Sequence, residues 1–186
     1  MSTYHHGDLR AALLRAAGKI LEEKGISGLS LREVARQAEV SHNAPYRHFP
    51  DRERLLAALA AEGFALLTQR LGVDDRAMGA AYVGFALEHP QRFRLMFGGL
   101  LPIAKYAELQ QAAGRAYQPL VDAMRSHQEL KDPEAAAAAA WSLVHGLSHL
   151  ILDGHFAQAQ GAAGGTNEFV KQVLGAVRFA SAQRSA

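Results

Sequence analysis

Apolar residues recur at three- and four-residue spacing from the front of the chain. Leu9, Leu13, Ala16/Ala17 and Ile20/Leu21 form one face of a first helix, which Asp8 can cap and which stops at Gly25 after the cationic Lys24. The next run contains Ser30-x-x-Glu33, a capping box in which each side chain can satisfy a backbone donor at the other's position. Leu29 and Val34 supply the accompanying hydrophobic staple, so a second helix reads from Ser30 to Ala38. Further on, Pro50-Asp51-Arg52-Glu53 caps a longer helix carrying Leu55, Leu56, Leu59, Leu66 and Leu67.

Between those two helices the pattern turns polar and basic. Glu39-Val40-Ser41 has the length a helix-turn-helix needs for its second helix to cross the first steeply, and Ser41 to Phe49 reads as a short third helix. Its cap is Ser41, His42 or Asn43, because Pro45 lacks an N–H and fits only within a first turn. Such a start presents Ser41, His42, Asn43 and Ala44 where hydrogen-bonding side chains reach base edges and Ala touches a thymine methyl. Tyr46, Arg47 and His48 follow as groups that reach phosphate oxygens, while Phe49 is assigned to the core.

From Asp74 onward the pattern is apolar and helical, predicting helices over about 74–88, 91–97, 104–128, 133–156 and 166–182. Breaks fall at Pro90, Gly98-Gly99, Pro102 and the Gly161 to Gly165 segment, which reads as a flexible connector without the context of a nucleotide loop. Pro133 after Asp132 marks one helix start. The longest apolar stretch, Ala135 to Leu152, is interrupted by Ser142, His145, Ser148 and His149, so it reads as a buried helix rather than a membrane span.

Composition changes this picture little. The chain has 186 residues, 49% hydrophobic and 20% charged, which suits an all-α globular protein of one or two units. With no cysteine, disulfides and Cys-ligated zinc are excluded, in keeping with a reducing cytoplasm, and the N-terminus lacks the pattern of a secretory signal. Net charge is +2, and placement matters more: residues 1–55 hold nine Lys/Arg against seven Asp/Glu and four histidines, whereas the remainder balances.

Gly28 to Leu56 closely resembles the DNA-binding domain of TetR-type transcriptional regulators. The match runs through Gly-Leu-Ser-x-Arg-x-Val-Ala, then Val-Ser, then Tyr-Arg-His-Phe-x-Asp-Arg-Glu-x-Leu-Leu. The resemblance implies that Ser30, Arg32, His42 to Ala44, Tyr46, His48 and Arg52 lie on the DNA face, with Arg52 where the family usually has Lys. Glu39 departs from the pattern. It occupies a turn position where the family commonly has Gly, suited to a left-handed backbone.

In the second half, His89-Pro90-x-x-Phe93-x-Leu95-Met96-Phe97 and Trp141-Ser142-Leu143-Val144-His145-Gly146-Leu147 resemble the effector domain of a TetR subgroup named for its Trp-His-Gly signature. That resemblance implies a ligand cavity and a homodimer joined through the last two long helices. Independently of it, the alanines opening helix 133–156 allow close helix approach, with Leu143, Leu147 and Leu150 as an apolar seam. A C2 dimer carries two recognition helices and matches an inverted-repeat operator.

The expected organisation is therefore a helix-turn-helix domain at 1–54 and a helical effector-binding and dimerisation domain at 55–186, about nine helices in all. Expected partners are double-stranded DNA, a small and largely apolar effector, and a second copy of the chain, with no membrane. Candidate effector-binding residues are Phe64, Tyr82, Phe85, Phe93, Met96 and Phe97 in the first part of that domain. Tyr117, Met124, Trp141, His145 and His149 complete them. Aromatic and Met residues at this spacing mostly pack against neighbouring helices. His145, His149 and Asp153 form an i, i+4, i+8 stripe able to hold a metal or polar ligand, although hydrogen-bonded histidines are the commoner outcome; no metal or cofactor is expected. An enzyme built on His145 and His149 is disfavoured by the lack of a nucleophile motif, carboxylate pair or nucleotide fingerprint. A metal- or pH-responsive regulator differs from the main reading only in its effector.

Overall fold

Helix ends fall where local chemistry stops the backbone ladder. In the computed structural model, which describes residues 6–72 and 77–177, nine α-helices and no strands are present among the described residues. They are α1 His6–Lys24, α2 Leu31–Gln37, α3 Arg52–Leu71, α4 Met78–Glu88, α5 Pro90–Phe97, α6 Ala107–Arg125, α7 Pro133–Leu152, α8 Ala157–Ala162 and α9 Thr166–Ala176. Helix α1 begins ahead of the expected cap Asp8, whose side chain lies outside the described residues, as do His5 and positions 73–76 and 178–186.

By internal contacts the chain divides into two compact units: Met1–Ala65 with His89–Ala113, and Leu66–Glu88 with Gly114–Ala186. This is a division of compactness, drawn elsewhere than the functional division expected at 54/55. In the first unit, Leu13, Ala17, Ile20 and Leu21 of α1 are fully buried, as are Val34 of α2, Leu55 and Leu59 of α3 and Phe93 of α5. Contact between α5 and α3 is close enough that a Cβ added at Gly63 would stand 2.6 Å from Met96 Sδ. Arg92 of α5 is buried in the same place and donates to Glu62 Oε2 at 3.0 Å, which supplies the partner a buried charge requires.

In the second unit α4 packs on α7 and α9. Asp132 caps α7 by accepting from Ala135 N at 2.9 Å, with Pro133 at the first helical position. Helix α7 ends at Gly154, φ 79°, in a Schellman turn: Gly154 N donates to Ile151 O and His155 N to Leu150 O, each at 3.0 Å. The expected run to residue 156 is therefore cut short by a glycine.

The expected flexible connector is also corrected. Residues 157–162 form α8, and only Gly164 and Gly165 turn the chain, again by a Schellman arrangement with Gly164 N on Gly161 O and Gly165 N on Gln160 O. Helix α6 tolerates Pro119 in its interior. The reading of 135–152 as a buried helix fails too. Ala137, Val144, Leu147, Ser148 and Ile151 are buried, whereas Ala135, Ala138, Ala139, Ser142 and Leu150 are exposed along one stripe. Leu147 of the expected seam, 5% exposed, turns into the unit's own core instead, while Leu150 at 41% faces outward.

Candidate nucleic-acid interface

Ser30 caps α2 by accepting from Glu33 N at 3.1 Å, half of the expected capping box. The other half is replaced: the Glu33 carboxylate takes Lys24 Nζ at 2.7 Å and Arg36 at 2.6 and 3.0 Å, tying the end of α1 to α2. The Arg36 hydrogen bond first, then that of Lys24, holds the Glu33 carboxyl at about 2.

Helix α2 ends in a Schellman turn like that of α7, with Glu39 N on Arg36 O at 3.2 Å and Val40 N on Ala35 O at 3.0 Å. Glu39 sits at the left-handed position with φ 55°, the only described non-glycine residue with positive φ. The strain expected there from the sequence is present in the backbone, at a cost of about 1–2 kcal/mol.

The third helix is not an α-helix. Ala44 N donates to Ser41 O at 2.9 Å, a 3₁₀ turn occupies Pro45–Arg47, and Phe49 N closes on Pro45 O at 2.9 Å. Pro45 has no N–H to give the Ser41 carbonyl, which Ala44 N takes instead in a tighter turn, and Pro50 stops the segment after Phe49. Pro45 is buried and Phe49 is 2% exposed, so these two residues root the segment. Ser41, His42, Asn43, Arg47 and Tyr46, the last at 48%, stand exposed above them, while Ala44 and His48 are half-buried.

The basic residues divide into engaged and available. Arg10 reaches both Glu108 oxygens, at 2.9 and 3.1 Å, and lies 5.7 Å from the Phe49 ring centre. Lys24 and Arg36 are on Glu33. Arg52, expected on the DNA face, donates to the carbonyls of Leu29, at 2.7 Å, and Ile26. Arg32 and Arg47 are exposed and have no side-chain partner among the described residues. Asp51 caps α3 by accepting from Arg54 N at 2.7 Å, and Glu53, two residues on, accepts from Lys105 Nζ at 2.9 Å and from the Tyr106 hydroxyl. These ties to Lys105, Tyr106 and Glu108 span 52 to 98 residues, and no local pattern signals them.

The candidate effector residues fall in two groups. Phe64, Phe93, Met96 and Phe97 belong to the first unit, where Phe97 meets Phe64 edge-on at 5.1 Å and Phe93 at 5.0 Å; Phe64, Phe93 and Met96 are core residues. In the second unit Phe85 is likewise core, at 1%, and Met124 is half-buried. Tyr82, Tyr117, Trp141, His145 and His149 gather into one polar aromatic cluster there. Trp141 Nε1 donates to the Tyr82 hydroxyl oxygen at 3.1 Å, and that hydroxyl pairs with His145 Nδ1 at 2.9 Å. Tyr117 lies against Trp141 at 4.9 Å and His149 against His145 at 4.7 Å. Burial pushes the Tyr82 phenol up; burial, and then the neighbouring His149, pushes His145 down. Both are therefore neutral near pH 7. No group of three or more His, Cys, Asp or Glu able to hold a metal occurs among the described residues.

Comparison with known proteins places both halves. Residues 13–59 match the family described as bacterial regulatory proteins, tetR family, and residues 76–177 match the tetracyclin repressor-like C-terminal domain. An HTH-type transcriptional regulator of Mycobacterium tuberculosis is 27% identical over 106 residues, covering 50% of this chain. The match spans 45% of that relative, about half its length. Among solved structures, a protein of unknown function from Rhodococcus sp. RHA1 aligns with TM-score 0.77 and 34% identity over 95% of both chains. NalD, the secondary repressor of the MexAB-OprM multidrug efflux pump in Pseudomonas aeruginosa, shares the fold with TM-score 0.57 at 19% identity, over 92% of this chain and 95% of its own.

Proposed function

The chain belongs to the tetR family of bacterial regulatory proteins, and from that premise we propose that it is a repressor that binds an inverted-repeat operator as a homodimer and is released by a small, largely apolar molecule. Its relatives are transcriptional regulators, not enzymes. The observation that carries the DNA-binding part is the recognition segment: an exposed Ser41-His42-Asn43 tip on a buried Pro45 and Phe49, flanked by Arg32 and Arg47, two cations free of intramolecular pairing among the described residues.

The tasks divide by chemistry. Ser41, His42 and Asn43 offer donors and acceptors to base edges, and Ala44 an apolar contact. Arg32, Tyr46, Arg47 and His48 hold phosphates and fix register. Ser30 contributes by setting the start of α2.

The exposed small-residue stripe of α7 supports self-association, since alanines allow a partner helix to approach closely while another face of the helix, with Val144, Leu147 and Ile151, is buried in its own unit. Two recognition segments about 34–36 Å apart, or a multiple of that, then meet successive major grooves. The Tyr82–Trp141–His145 cluster is the part of the second unit suited to an effector: rings for apolar contact and a few directional polar groups. An effector that favours a dimer with another segment spacing weakens DNA binding by its differential affinity. The place of action is the cytoplasm, where the operator is. A mobility-shift assay with inverted repeats near the protein's own gene tests the reading. Preferential binding to one of them is expected, and no preference at any physiological salt concentration would refute it.

A further inference from the structure

Arg52 opens α3 directly after the recognition segment, yet its side chain reaches back 23 and 26 residues to two backbone carbonyls. Ile26 and Leu29 bound the short 3₁₀ turn between α1 and α2, and Leu29 directly precedes the cap Ser30. That turn is also flanked by the Lys24–Glu33 ion pair, so both sides of the entry to α2 are tied. The helix-turn-helix is thereby closed into a ring. From Leu29 the chain runs through α2, the Glu39 turn and the recognition segment to Arg52, whose guanidinium returns to Leu29.

A planar guanidinium can hold two carbonyls in fixed directions through Nε and Nη2, whereas an ammonium on a flexible stem is a point charge without that fork. We infer that Arg52 is a positioning residue for DNA recognition, setting the spacing between Arg32 on α2 and the segment Ser41 to His48 through the Ile26 and Leu29 carbonyls rather than by contacting phosphate. The inference rests on the DNA-binding reading above and adds to it a residue that acts through other residues.

The test uses the full chain and two fluorescent duplexes, one enriched by the wild-type protein from a library of randomised inverted repeats and one of unrelated sequence. Affinities are measured across a salt series for the wild type, Arg52→Lys and Arg52→Gln, well below each protein's melting temperature. If the wild type enriches no duplex, the DNA-binding reading itself fails, separately from the role of Arg52.

Given enrichment, both variants should lose about tenfold on the enriched duplex, part of the discrimination that well-placed base contacts supply. Both should stay within about twofold of wild type on the unrelated duplex, with an unchanged slope of log affinity against log salt. Arg52→Lys keeps charge and stem, so the test stands even if Arg52→Gln fails to fold. Wild-type affinity for Arg52→Lys would overturn the inference. So would a slope reduced by about 0.9 per protomer in Arg52→Gln, the mark of a lost phosphate contact. A lower melting temperature with unchanged affinity would also overturn it, since the residue would then be structural only.

Discussion

The helix-turn-helix and the α4–α7 cluster handle polar side chains in opposite ways. Around the recognition segment almost every charge is tied down close to the surface: Glu33 by two cations, Arg52 by two carbonyls, Arg10 by Glu108, with Arg32 and Arg47 left over. In the α4–α7 cluster a buried Tyr82 joins the half-buried Trp141 and His145 through its hydroxyl. The first arrangement suits a surface that must meet a fixed, charged partner without reshaping itself. The second suits a place where another molecule can exchange with internal hydrogen bonds. Charges fixed by local ion pairs in one region and a hydrogen-bonded aromatic cluster in the other fit the ligand control of DNA binding proposed above.

The contrast is broken most severely at the root of the recognition segment. Phe49→Ala should destabilise the first unit by about 3–5 kcal/mol, the usual loss for a buried phenylalanine, and abolish DNA binding at 37 °C while the second unit keeps its helices. Calorimetry and anisotropy read both. Tyr82→Phe should cost about 1–3 kcal/mol, because the Trp141 N–H and the His145 ring nitrogen lose a shared, buried partner. Trp141 is the chain's sole tryptophan, so its fluorescence reports that change directly, and unliganded DNA affinity should stay near wild type.

Glu39→Gly tests the strained turn. Removing the side chain at φ 55° should raise stability by about 1 kcal/mol in chemical denaturation, with unchanged specificity.

The smallest effects are in pH. The folded His145 titrates below its ordinary 6.5, so on acidification the unfolded chain takes up its proton first; the stability it contributes is full above 6.5 and falls as pH descends from there toward the folded value. His145→Gln should flatten that part of the stability profile. Glu33 is held at about 2 against an ordinary 4.5, so its contribution is present above 4.5 and lost as pH falls toward 2. Glu33→Gln should remove that second decline, leaving the first.

How much of this could be read in the sequence follows from the range of the interactions. Helix α2 was legible because Ser30 and Glu33 are three residues apart, and the left-handed turn at Glu39 because the chain resembles a family that commonly has Gly there. The recognition segment was legible in place but not in form, since its tight turn is set by which N–H takes the Ser41 carbonyl, Ala44 rather than Pro45. Helix α8 was missed because Gly161 and Gly165 advertise a loop, while the backbone turns only at Gly164 and Gly165. The candidate effector residues were chosen by type and spacing alone. Type cannot tell Phe93, buried at 0% in the first unit, from Trp141, half-buried against Tyr82 across 59 residues. The intramolecular partners of Arg52 were hidden for the same reason: a cation at a helix start fits phosphate by local rules, and the carbonyls it holds lie 23 and 26 residues away.

The central claim is that one short segment divides into residues that read bases and residues that hold the backbone. Salt-dependent affinity of Asn43→Ala and Arg47→Ala, on the preferred duplex and on single-base variants of it, tests that claim most directly. Asn43→Ala should lose about 1–3 kcal/mol on the preferred duplex, little on the others, and keep the wild-type salt slope. Arg47→Ala should weaken every duplex alike and lower the slope by about 0.9 per protomer. The same slope and the same sequence preference in both variants would contradict the division.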